Sequence, residues 1–318
     1  MNDPFEKLYY RPLVAIVREA EHGKTVRTVL ERQLGVSRKL LSQVKLTEHG
    51  LTVNEVRAYT TAPVAAGDMI RVRMLREISE DILPQPIPIQ IVFEDEDLLI
   101  VNKPAGMIVH PTHGHYTGTL ANGVVFHWQE RGEQVRFRPV HRLDEETSGL
   151  VAIAKTSYVH QQLSEQMQAN GFLKLYRAYV YGSPAPVQGT VDEPIDRDPE
   201  RPHIRIVTPT GYPSVTHYET LASYNETSNR PASAVRLKLE TGRTHQIRVH
   251  MKHIGCPLIG DKMYGSEQGS VEEWELEAGR QALHAEILGF THPITKQWME
   301  WQADLPPELA RLEQKLTT

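Results

Sequence analysis

The chain has 318 residues, of which 40% are hydrophobic and 24% charged, and it carries a formal net charge of −5. These values are typical of a globular protein with one or two domains, and they exclude an intrinsically disordered chain. Because Cys256 is the single cysteine, an internal disulfide framework is excluded as well. No apolar run approaches the roughly 20 residues that span a bilayer, and the first residues do not resemble a signal peptide. We therefore expect a cytoplasmic protein with no membrane partner.

The charge is unevenly distributed along the chain. Between Ala20 and Arg76 there are ten Lys or Arg and five Asp or Glu, an excess of +5, so the remainder carries −10. Attraction to phosphate depends on the local patch and not on the total charge. The sequence therefore predicts a basic, nucleic-acid-binding module attached to an acidic body.

Residues 1–83 predict a small α/β module. Thr25 is placed to cap a helix that ends at Gly35, and Ser37 to cap a second helix. Alternating apolar residues then predict strands at 51–54 and 69–74. The two helices and their flanks carry six cations, which belong either to an RNA-binding surface or simply to the solvated faces of amphipathic helices: Lys24, Arg27, Arg32, Arg38, Lys39 and Lys45.

The alternating prolines of residues 84–88 predict a stiff linker, because proline continues neither a helix nor a central strand. Residues 89–318 form the predicted second domain. Its first hairpin closes on the acidic turn 94–97, which is typical of a solvated turn more than of a cation site. Further strands at 174–182 and 235–240 mix with scattered helices without a regular βαβ rhythm. This pattern predicts an α+β fold with a mixed, largely antiparallel sheet.

The most informative segment runs from His141 to Thr156 and places Asp144 just before a Thr-Ser-Gly turn and an apolar run. A lone acid in such a turn is usually a cap or a solvated side chain. Here it occurs in a series of ordered motifs, which begin at Asn102, Lys174, Thr241, Pro257 and Leu283. With these motifs the chain resembles the RluA-type RNA pseudouridine synthases over roughly residues 89–309. Its first two helices and strands resemble the S4 RNA-binding domain.

The resemblance implies the fold, the reaction and the catalytic residues. It implies an RNA-binding cleft at the centre of the sheet and an isomerase that converts uridine to pseudouridine. Asp144 is then the nucleophile, Arg248 the cation that keeps it ionised, and Tyr176 the aromatic ring that holds the uracil. The conversion is an isomerisation without net redox or hydrolysis, so we expect neither a cofactor nor a metal. Attack at uracil C6, attack at ribose C1′ and a glycal route all remain open for Asp144.

RNA contacts are expected on both parts of the chain. In the family the position of Arg142 enters the RNA in place of the flipped-out base, and a flat, permanently charged guanidinium suits that use. Ile247 either packs on the base or belongs to the core, and Arg243 lies in the same motif. The cations Lys24, Arg27, Arg38, Lys39 and Lys45 complete the expected RNA contacts.

Two acidic residues depart from the family pattern. Glu55 follows a Val-Asn pair where S4 domains commonly have glycine, and Glu145 follows Asp144 where a basic or neutral residue is common. An acid beside phosphate would repel it, so the RNA contact near Glu145 is expected to differ.

The sequence therefore predicts a monomeric RNA pseudouridine synthase that acts on structured RNA, with large-subunit ribosomal RNA preferred over transfer RNA. The alternative from another class is a non-catalytic RNA-binding or ribosome-assembly factor of the same fold. A nucleoside hydrolase is disfavoured, because Asp144 lacks a second carboxylate partner in the sequence.

Overall fold

The computed structural model describes residues 7–224, 231–265 and 273–317. Two β-sheets dominate the architecture, one of four and one of nine strands, and a two-stranded ribbon accompanies them. Within the three described ranges, no helix is both long and apolar enough to cross a membrane.

The four-stranded sheet lies in the N-terminal part of the chain and has the order β1-β4-β2-β3, with every pair antiparallel. Two helices, α1 (Val26–Leu34) and α2 (Arg38–Val44), lie between its first and second strands in sequence. The strands are β1 (Leu13–Ile16), β2 (Leu51–Val53), β3 (Val56–Arg57) and β4 (Met69–Val72).

Local capping defines both helices, as predicted. The Thr25 hydroxyl accepts a hydrogen bond from the amide of Thr28, and the Ser37 hydroxyl accepts one from the amide of Leu40. Gly35 ends α1 with a φ of 61°, a conformation that glycine adopts at little cost. The helix bounds therefore follow from residue types that can be read in the sequence.

The turn between β2 and β3 contains the departure noted at Glu55. Asn54 and Glu55 have φ values of 48° and 65°, so both residues of the two-residue turn are left-handed. The Glu55 carboxylate forms ion pairs with Arg71 and Arg73 of the same sheet. The turn thus forms without glycine.

The nine-stranded sheet has the order β5-β6-β7-β14-β8-β13-β12-β9, and β15 pairs with β14. Among the strand pairs of the described residues, only that of β7 with β14 is parallel, so the sheet is mixed and largely antiparallel, as predicted. Its strands are β5 (Gln90–Glu94), β6 (Leu98–Lys103), β7 (Ser148–Ala154), β8 (Leu173–Tyr181), β9 (Gln188–Asp192), β12 (Val215–Tyr224), β13 (Ala232–Leu239), β14 (Leu283–Thr291) and β15 (Trp298–Gln302); the separate ribbon is β10 (Ile195–Arg197) with β11 (Arg205–Val207).

Further helices in the described ranges accompany the large sheet: α3 (Leu120–Glu130), α4 (Ser157–Gln168), α5 (Gln246–His253), α6 (Glu273–Ala278) and α7 (Pro307–Thr317). Most buried apolar residues of the two sheets belong to one continuous cluster, whereas Tyr179, Ala232 and Ala234 of the large sheet belong to a second cluster with α7. At their junction the Tyr158 hydroxyl of α4 donates to the Leu34 carbonyl at 2.8 Å, and the Gln161 amide donates to Gly35. The end of α1 is therefore fixed to the large sheet through α4.

Candidate active site

Asp144 lies in a turn that leads directly into the fully buried central strand β7. The Thr147 amide donates to the Asp144 carbonyl at 3.1 Å and closes the turn. Gly149 then has a φ of 120°, and a Cβ at this position would meet the Ala285 carbonyl oxygen at 2.3 Å. Only glycine allows β14 to approach β7 this closely, and this contact fixes where the Asp144 turn begins.

Arg248 lies in the first turn of α5 and faces two carboxylates. Its Nη1 is 3.6 Å from Oδ2 of Asp144, a distance that is an ion pair without a hydrogen bond. Its Nε and Nη2 donate to the two oxygens of Asp261 at 2.6 and 2.8 Å. The sequence predicts Asp144 as the partner of Arg248, but the bidentate partner in the structure is Asp261.

Electrostatics in this cluster keep Arg248 charged. Its side chain is only 6% exposed and that of Asp144 is 20% exposed. Burial alone would lower the pKa of Arg248, but the hydrogen bonds and charge of Asp261, with the charge of Asp144, raise it above its usual value. The guanidinium is therefore a permanent cation beside Asp144.

Asp261 is a structural anchor that the sequence analysis did not single out. Its carboxylate is fully buried, and Oδ1 also accepts the amides of Met263 and Tyr264. The signal available in the sequence was its place in the motif that begins at Pro257. Nothing in that motif, however, indicates which cation the acid binds.

Tyr264 and His245 extend the cluster. The Arg248 guanidinium lies over the Tyr264 ring at 4.9 Å from its centroid. The Tyr264 hydroxyl accepts the Arg205 amide at 2.8 Å and lies 2.8 Å from Nδ1 of His245, to which it can donate its own proton. His245 precedes α5 with a left-handed φ of 59°, a conformation that non-glycine residues adopt rarely. The helix begins at the next residue, Gln246.

A cavity of about 480 Å³ lies next to these residues, between β11, α5 and the segment that follows Asp261. Asp261 and Tyr264 form part of its wall. Its lining includes four cations, Arg201, Arg205, Lys252 and Lys262. A positive lining of this kind suits a polyanion.

Tyr176 lies on β8, opposite Ala285 of β14 and Leu237 of β13. The residue is 6% exposed. Burial raises the pKa of its phenol, and the negative charge of Asp144 raises it further. Tyr176 is therefore a protonated phenol beside the Asp144 carboxylate.

Two buried cations that the sequence analysis did not assign hold the backbone around Asp144. Lys103 donates its three N–H bonds to the carbonyls of Pro104, Met107 and Glu145, at 2.8, 2.7 and 3.0 Å. Burial lowers the pKa of Lys103 to about 7. Arg280 donates to the Glu146 carbonyl at 2.8 Å. Backbone acceptors leave no signature in a sequence, so neither contact was predictable.

The predicted RNA contacts fall into different environments. Arg142 is exposed and makes no hydrogen bond or ion pair with the described residues, and Arg243 is exposed with its guanidinium over the Tyr212 ring at 5.5 Å. Ile247 is 4% exposed and belongs to the core cluster. All five predicted cations of the N-terminal part are exposed: Lys24, Arg27, Arg38, Lys39 and Lys45.

Metal-type ligand atoms meet in one place among the described residues. Oxygens of Asp95 and Asp97 and a nitrogen of His292 lie within 4.8 Å of one another, at the acidic turn. Nδ1 of His292 accepts the amides of Ile294 and Thr295, so Nε2 carries the proton and donates it to Asp95 at 3.1 Å. Both nitrogens are occupied, and this hydrogen-bonded turn does not fit a metal.

Comparisons with known proteins identify the family. A family model described as RNA pseudouridylate synthase matches residues 97–253. The chain is 40% identical over 282 residues to a Bacillus subtilis (strain 168) protein with the printed name "Uncharacterized RNA pseudouridine synthase YjbO", covering 88% of this chain and 95% of that one. It is 36% identical over 308 residues to the ribosomal large subunit pseudouridine synthase D of Escherichia coli (strain K12), covering 94% and 93%.

Solved structures agree with this fold. The human RNA pseudouridylate synthase domain containing 1 superposes with a TM-score of 0.57 at 25% identity, covering 73% of this chain and 96% of that one. The human domain containing 4 protein has the same TM-score at 24% identity, covering 72% and 93%. The chain belongs to the RNA pseudouridine synthase family and is an isomerase that acts on RNA.

Proposed function

We propose that the protein converts uridine to pseudouridine in large-subunit ribosomal RNA, with Asp144 as the nucleophile. The RNA target is supported by the similarity to the Escherichia coli ribosomal large subunit enzyme over nearly the whole of both chains. Transfer RNA is the second candidate substrate from the sequence. The geometry around Arg248 supports the catalytic assignment.

The observation that carries the proposal is the unequal pairing of Arg248. Asp261 takes the two short hydrogen bonds, so Arg248 is held in place without any contribution from Asp144. Asp144 stands 3.6 Å from the remaining nitrogen, feels the positive charge and is not tied by a hydrogen bond to Arg248. A carboxylate in this position lies beside a fixed positive charge and keeps an oxygen available for the substrate.

The reaction breaks the bond between N1 of uracil and C1′ of ribose and forms a bond between C5 and C1′. The proton on C5 is released, and N1 gains a proton, so the atoms balance without an external reagent. Tyr176 is suited to hold the loosened base, because an aromatic face accepts more than one base orientation. Its raised pKa keeps the phenol protonated beside Asp144.

The division of the chain forms part of the proposal. Residues 1–83 act as an S4-like docking module, residues 84–88 as a linker, and residues 89–318 as the catalytic domain. The exposed cations of α1 and α2 supply attraction for RNA phosphates that the acidic body lacks. Arg142 enters the RNA at the target position, and Arg243 contacts its backbone. We propose that the protein works as a monomer in the cytoplasm, where its RNA is made.

Tritium release tests the catalytic assignment. Ribosomal RNA transcribed with ³H at uridine C5 loses tritium when C5 joins the ribose. We expect Asp144→Asn to abolish release while RNA binding persists, because the amide keeps the shape of the side chain but is not a nucleophile. Glu145→Gln is the matched control at the neighbouring exposed acid and is expected to remain active. Full activity of Asp144→Asn contradicts the assignment.

Site mapping tests the substrate. Pseudouridine is mapped position by position in total RNA from cells with and without the protein. If a pseudouridine in large-subunit ribosomal RNA is lost from cells without the protein, the proposal is supported. If the lost pseudouridine lies only in transfer RNA, transfer RNA is the substrate instead. If every pseudouridine is still present in cells without the protein, a non-catalytic RNA-binding factor is favoured.

A further inference from the structure

The cavity beside the Arg248 cluster has no part in the reaction at Asp144. Its volume of about 480 Å³ falls within the roughly 300–1,000 Å³ of small-molecule sites. Three side chains at its edge, those of Arg201, Lys252 and Lys262, are exposed, so the cavity opens to solvent. A ligand can therefore enter it from outside the protein.

The buried part of the lining is apolar. Ile204, Val249 and Tyr264 are buried there and pack together as a small cluster apart from the main core. Half-buried Ile206 and exposed Met263 extend this surface toward solvent. Apolar and aromatic surfaces of this kind accept the face of a nucleic-acid base without reading its hydrogen-bonding groups.

The exposed part of the lining is cationic. The ammonium groups of Lys252 and Lys262 make no hydrogen bond or ion pair with the described residues. Arg205 uses Nη1 for the carbonyls of Pro202 and Ile204, and its Nε and Nη2 have no partner in the described part of the chain. These cations are free to bind an anion that enters the cavity.

Asp261 is the single acid among the described residues of the lining, and its charge is already balanced. Both of its oxygens accept hydrogen bonds from Arg248, and Oδ1 also accepts the amides of Met263 and Tyr264. Asp261 is therefore not a counter-ion for the exposed lysines. The cavity stays positive although the chain outside residues 20–76 carries −10.

The two parts of the lining match the two parts of a nucleotide. The base and the ribose suit the apolar surface, and the phosphate suits the cations at the edge. A bare phosphate ion would leave the apolar surface in contact with water. An uncharged apolar ligand would leave the cations without a partner.

One side chain, that of Tyr264, separates the cavity from Arg248. The Arg248 guanidinium lies over the Tyr264 ring at 4.9 Å from its centroid, and the Tyr264 hydroxyl accepts the Arg205 amide at 2.8 Å. Arg248 itself is 3.6 Å from Asp144. A nucleotide in the cavity is therefore close enough to Asp144 to belong to the same RNA strand as the reacting uridine.

We propose that this cavity binds a nucleotide that flanks the target uridine in the RNA strand, with its phosphate at Lys252, Lys262 and Arg205. The inference rests on the proposed function, because the nucleotide belongs to the RNA substrate. The contact adds affinity for the strand and does not touch the reacting base. Its loss should therefore raise KM for tritium release and leave kcat unchanged.

The salt dependence of binding tests the inference. We compare the double variant Lys252→Gln, Lys262→Gln with a matched double variant, Lys238→Gln, Lys296→Gln. The second pair is also exposed but does not line the cavity. The probe is large-subunit ribosomal RNA transcribed in vitro, and its dissociation constant is measured over a range of salt concentrations.

We expect the slope of log K against log salt to fall by about 1 to 2 in the Lys252, Lys262 variant, because phosphate contacts are lost. KM for tritium release should rise about tenfold at constant kcat, and the matched variant should behave like the wild type. An unchanged slope overturns the inference. An equal fall in both double variants also overturns it, because the attraction would then not be local to the cavity.

Met263 gives a test that leaves the lysines in place. Its side chain is 44% exposed, so Met263→Glu and Met263→Gln should both keep the unfolding midpoint of the wild type. The glutamate places a negative charge in the cavity and should weaken RNA binding at low salt, whereas the glutamine should not. Equal affinities of the two variants would show that no phosphate lies near this residue.

A free nucleotide is the other source of the same chemistry. Calorimetry with adenosine 5′-monophosphate distinguishes it from the RNA strand. If the Lys252, Lys262 variant loses binding of the free nucleotide but keeps the wild-type salt slope for RNA, the cavity is a mononucleotide site and the RNA assignment is overturned. A reduced RNA slope supports the assignment.

Failure of this inference is distinguishable from failure of the proposed function. Absence of tritium release by the wild-type protein contradicts the proposed function. Normal release by the wild type, together with an unchanged slope and KM in the Lys252, Lys262 variant, overturns the flanking-nucleotide site alone.

Discussion

The Arg248 cluster and the basic surface of α1 and α2 both depend on cations, but they are constructed in opposite ways. Arg248 is almost fully buried, holds Asp261 through two short hydrogen bonds and packs over an aromatic ring. On the helices, the Arg38 side chain is 87% exposed and stands 3.7 Å from Glu31, and the ammonium groups of Lys39 and Lys45 make no hydrogen bond or ion pair with the described residues.

The buried cluster is suited to position catalytic groups, and the exposed helix surface is suited to attract RNA. A desolvated ion pair is strong and rigid, and removing one partner leaves an uncompensated buried charge. Solvated cations are mobile, are screened by salt and contribute additively to the binding of a polyanion. We therefore expect changes in the buried cluster to be large and to act on the chemical step. Changes on the helix surface should be graded and act on RNA affinity.

The largest effect is expected from Asp261→Asn. The amide cannot balance the charge of Arg248, and breaking a buried ion pair costs about 3–5 kcal/mol of stability. Arg248 should then turn toward Asp144 and form a hydrogen-bonded ion pair with its carboxylate. Because the carboxylate is then less available to the substrate, kcat for tritium release should fall by about a hundredfold or more. Chemical denaturation and single-turnover kinetics measure the two losses.

Asp198→Asn is the matched control for this prediction. Asp198 also makes a two-point contact with an arginine, but Arg201 is 66% exposed. Solvent screens the exposed guanidinium, so the pair contributes about 0–1 kcal/mol, and an amide oxygen at this position can still accept the backbone amides of Glu200 and Arg201; stability and kcat should therefore change little. Equal losses in the two variants would remove the distinction between the fully buried pair and the pair whose arginine is exposed.

Lys103→Met tests whether the backbone near Asp144 depends on the three hydrogen bonds that Lys103 donates to its carbonyls. Three carbonyls lose their donor, and we expect a loss of about 1–3 kcal/mol in stability at pH 7 and a reduced kcat. The pKa of Lys103 in the folded protein is about 7, below the ordinary value of 10.5. Between these values the unfolded chain binds a proton that the folded chain does not, so this group makes the free energy of unfolding rise with pH.

The variant lacks that contribution. Between pH 7.5 and 9 the free energy of unfolding should therefore rise by up to about 2 kcal/mol more in the wild type than in the variant. Urea denaturation at several pH values measures the difference. Parallel pH curves for the two proteins would show that Lys103 titrates normally in the folded state.

The sequence predicts those helices and strands whose bounds depend on neighbouring residues. The caps at Thr25 and Ser37 and the alternation in β8 depend on neighbouring residues, so the helix and strand positions were predicted closely. The start of α5 follows His245, whose left-handed conformation is not favoured by its residue type and is not indicated by the sequence. Asp144 was singled out through a family resemblance, since one acid in a turn carries little information.

The remainder of the site depends on contacts between distant segments. Asp261 lies 13 residues from Arg248, beyond the end of the helix, and no periodicity links the two. Lys103 binds carbonyl oxygens, which every residue possesses. The missing acceptor for Nδ1 of His141 among the described residues can be recognised only when all neighbours are known. Pairing and its absence are properties of the folded chain.

The role of the exposed basic surface of α1 and α2 is tested by replacing four of its cations together with glutamine: Arg27, Arg38, Lys39 and Lys45. We expect the salt slope for ribosomal RNA binding to fall by about 3 to 4 and KM to rise, with kcat and the unfolding midpoint unchanged. Each single replacement should give about a quarter of the effect, because solvated cations act additively. A fall in kcat with constant KM would assign these residues to catalysis.

The smallest effect is expected at Glu55, where two modest terms oppose each other. Its left-handed φ costs about 1 kcal/mol in a residue other than glycine, and its ion pairs with Arg71 and Arg73 contribute about 0–1 kcal/mol each. Glu55→Gln loses the charge and keeps the strained φ, so it should destabilise the protein by about 1 kcal/mol. Glu55→Gly loses the charge and also relieves the φ, so its stability should stay within about 0.5 kcal/mol of the wild type. Denaturation of the two variants side by side measures the difference. If Glu55→Gly were the less stable of the two, the carboxylate would be holding Arg73 as firmly as Asp261 holds Arg248, and the N-terminal sheet would contain a rigid ion pair of its own.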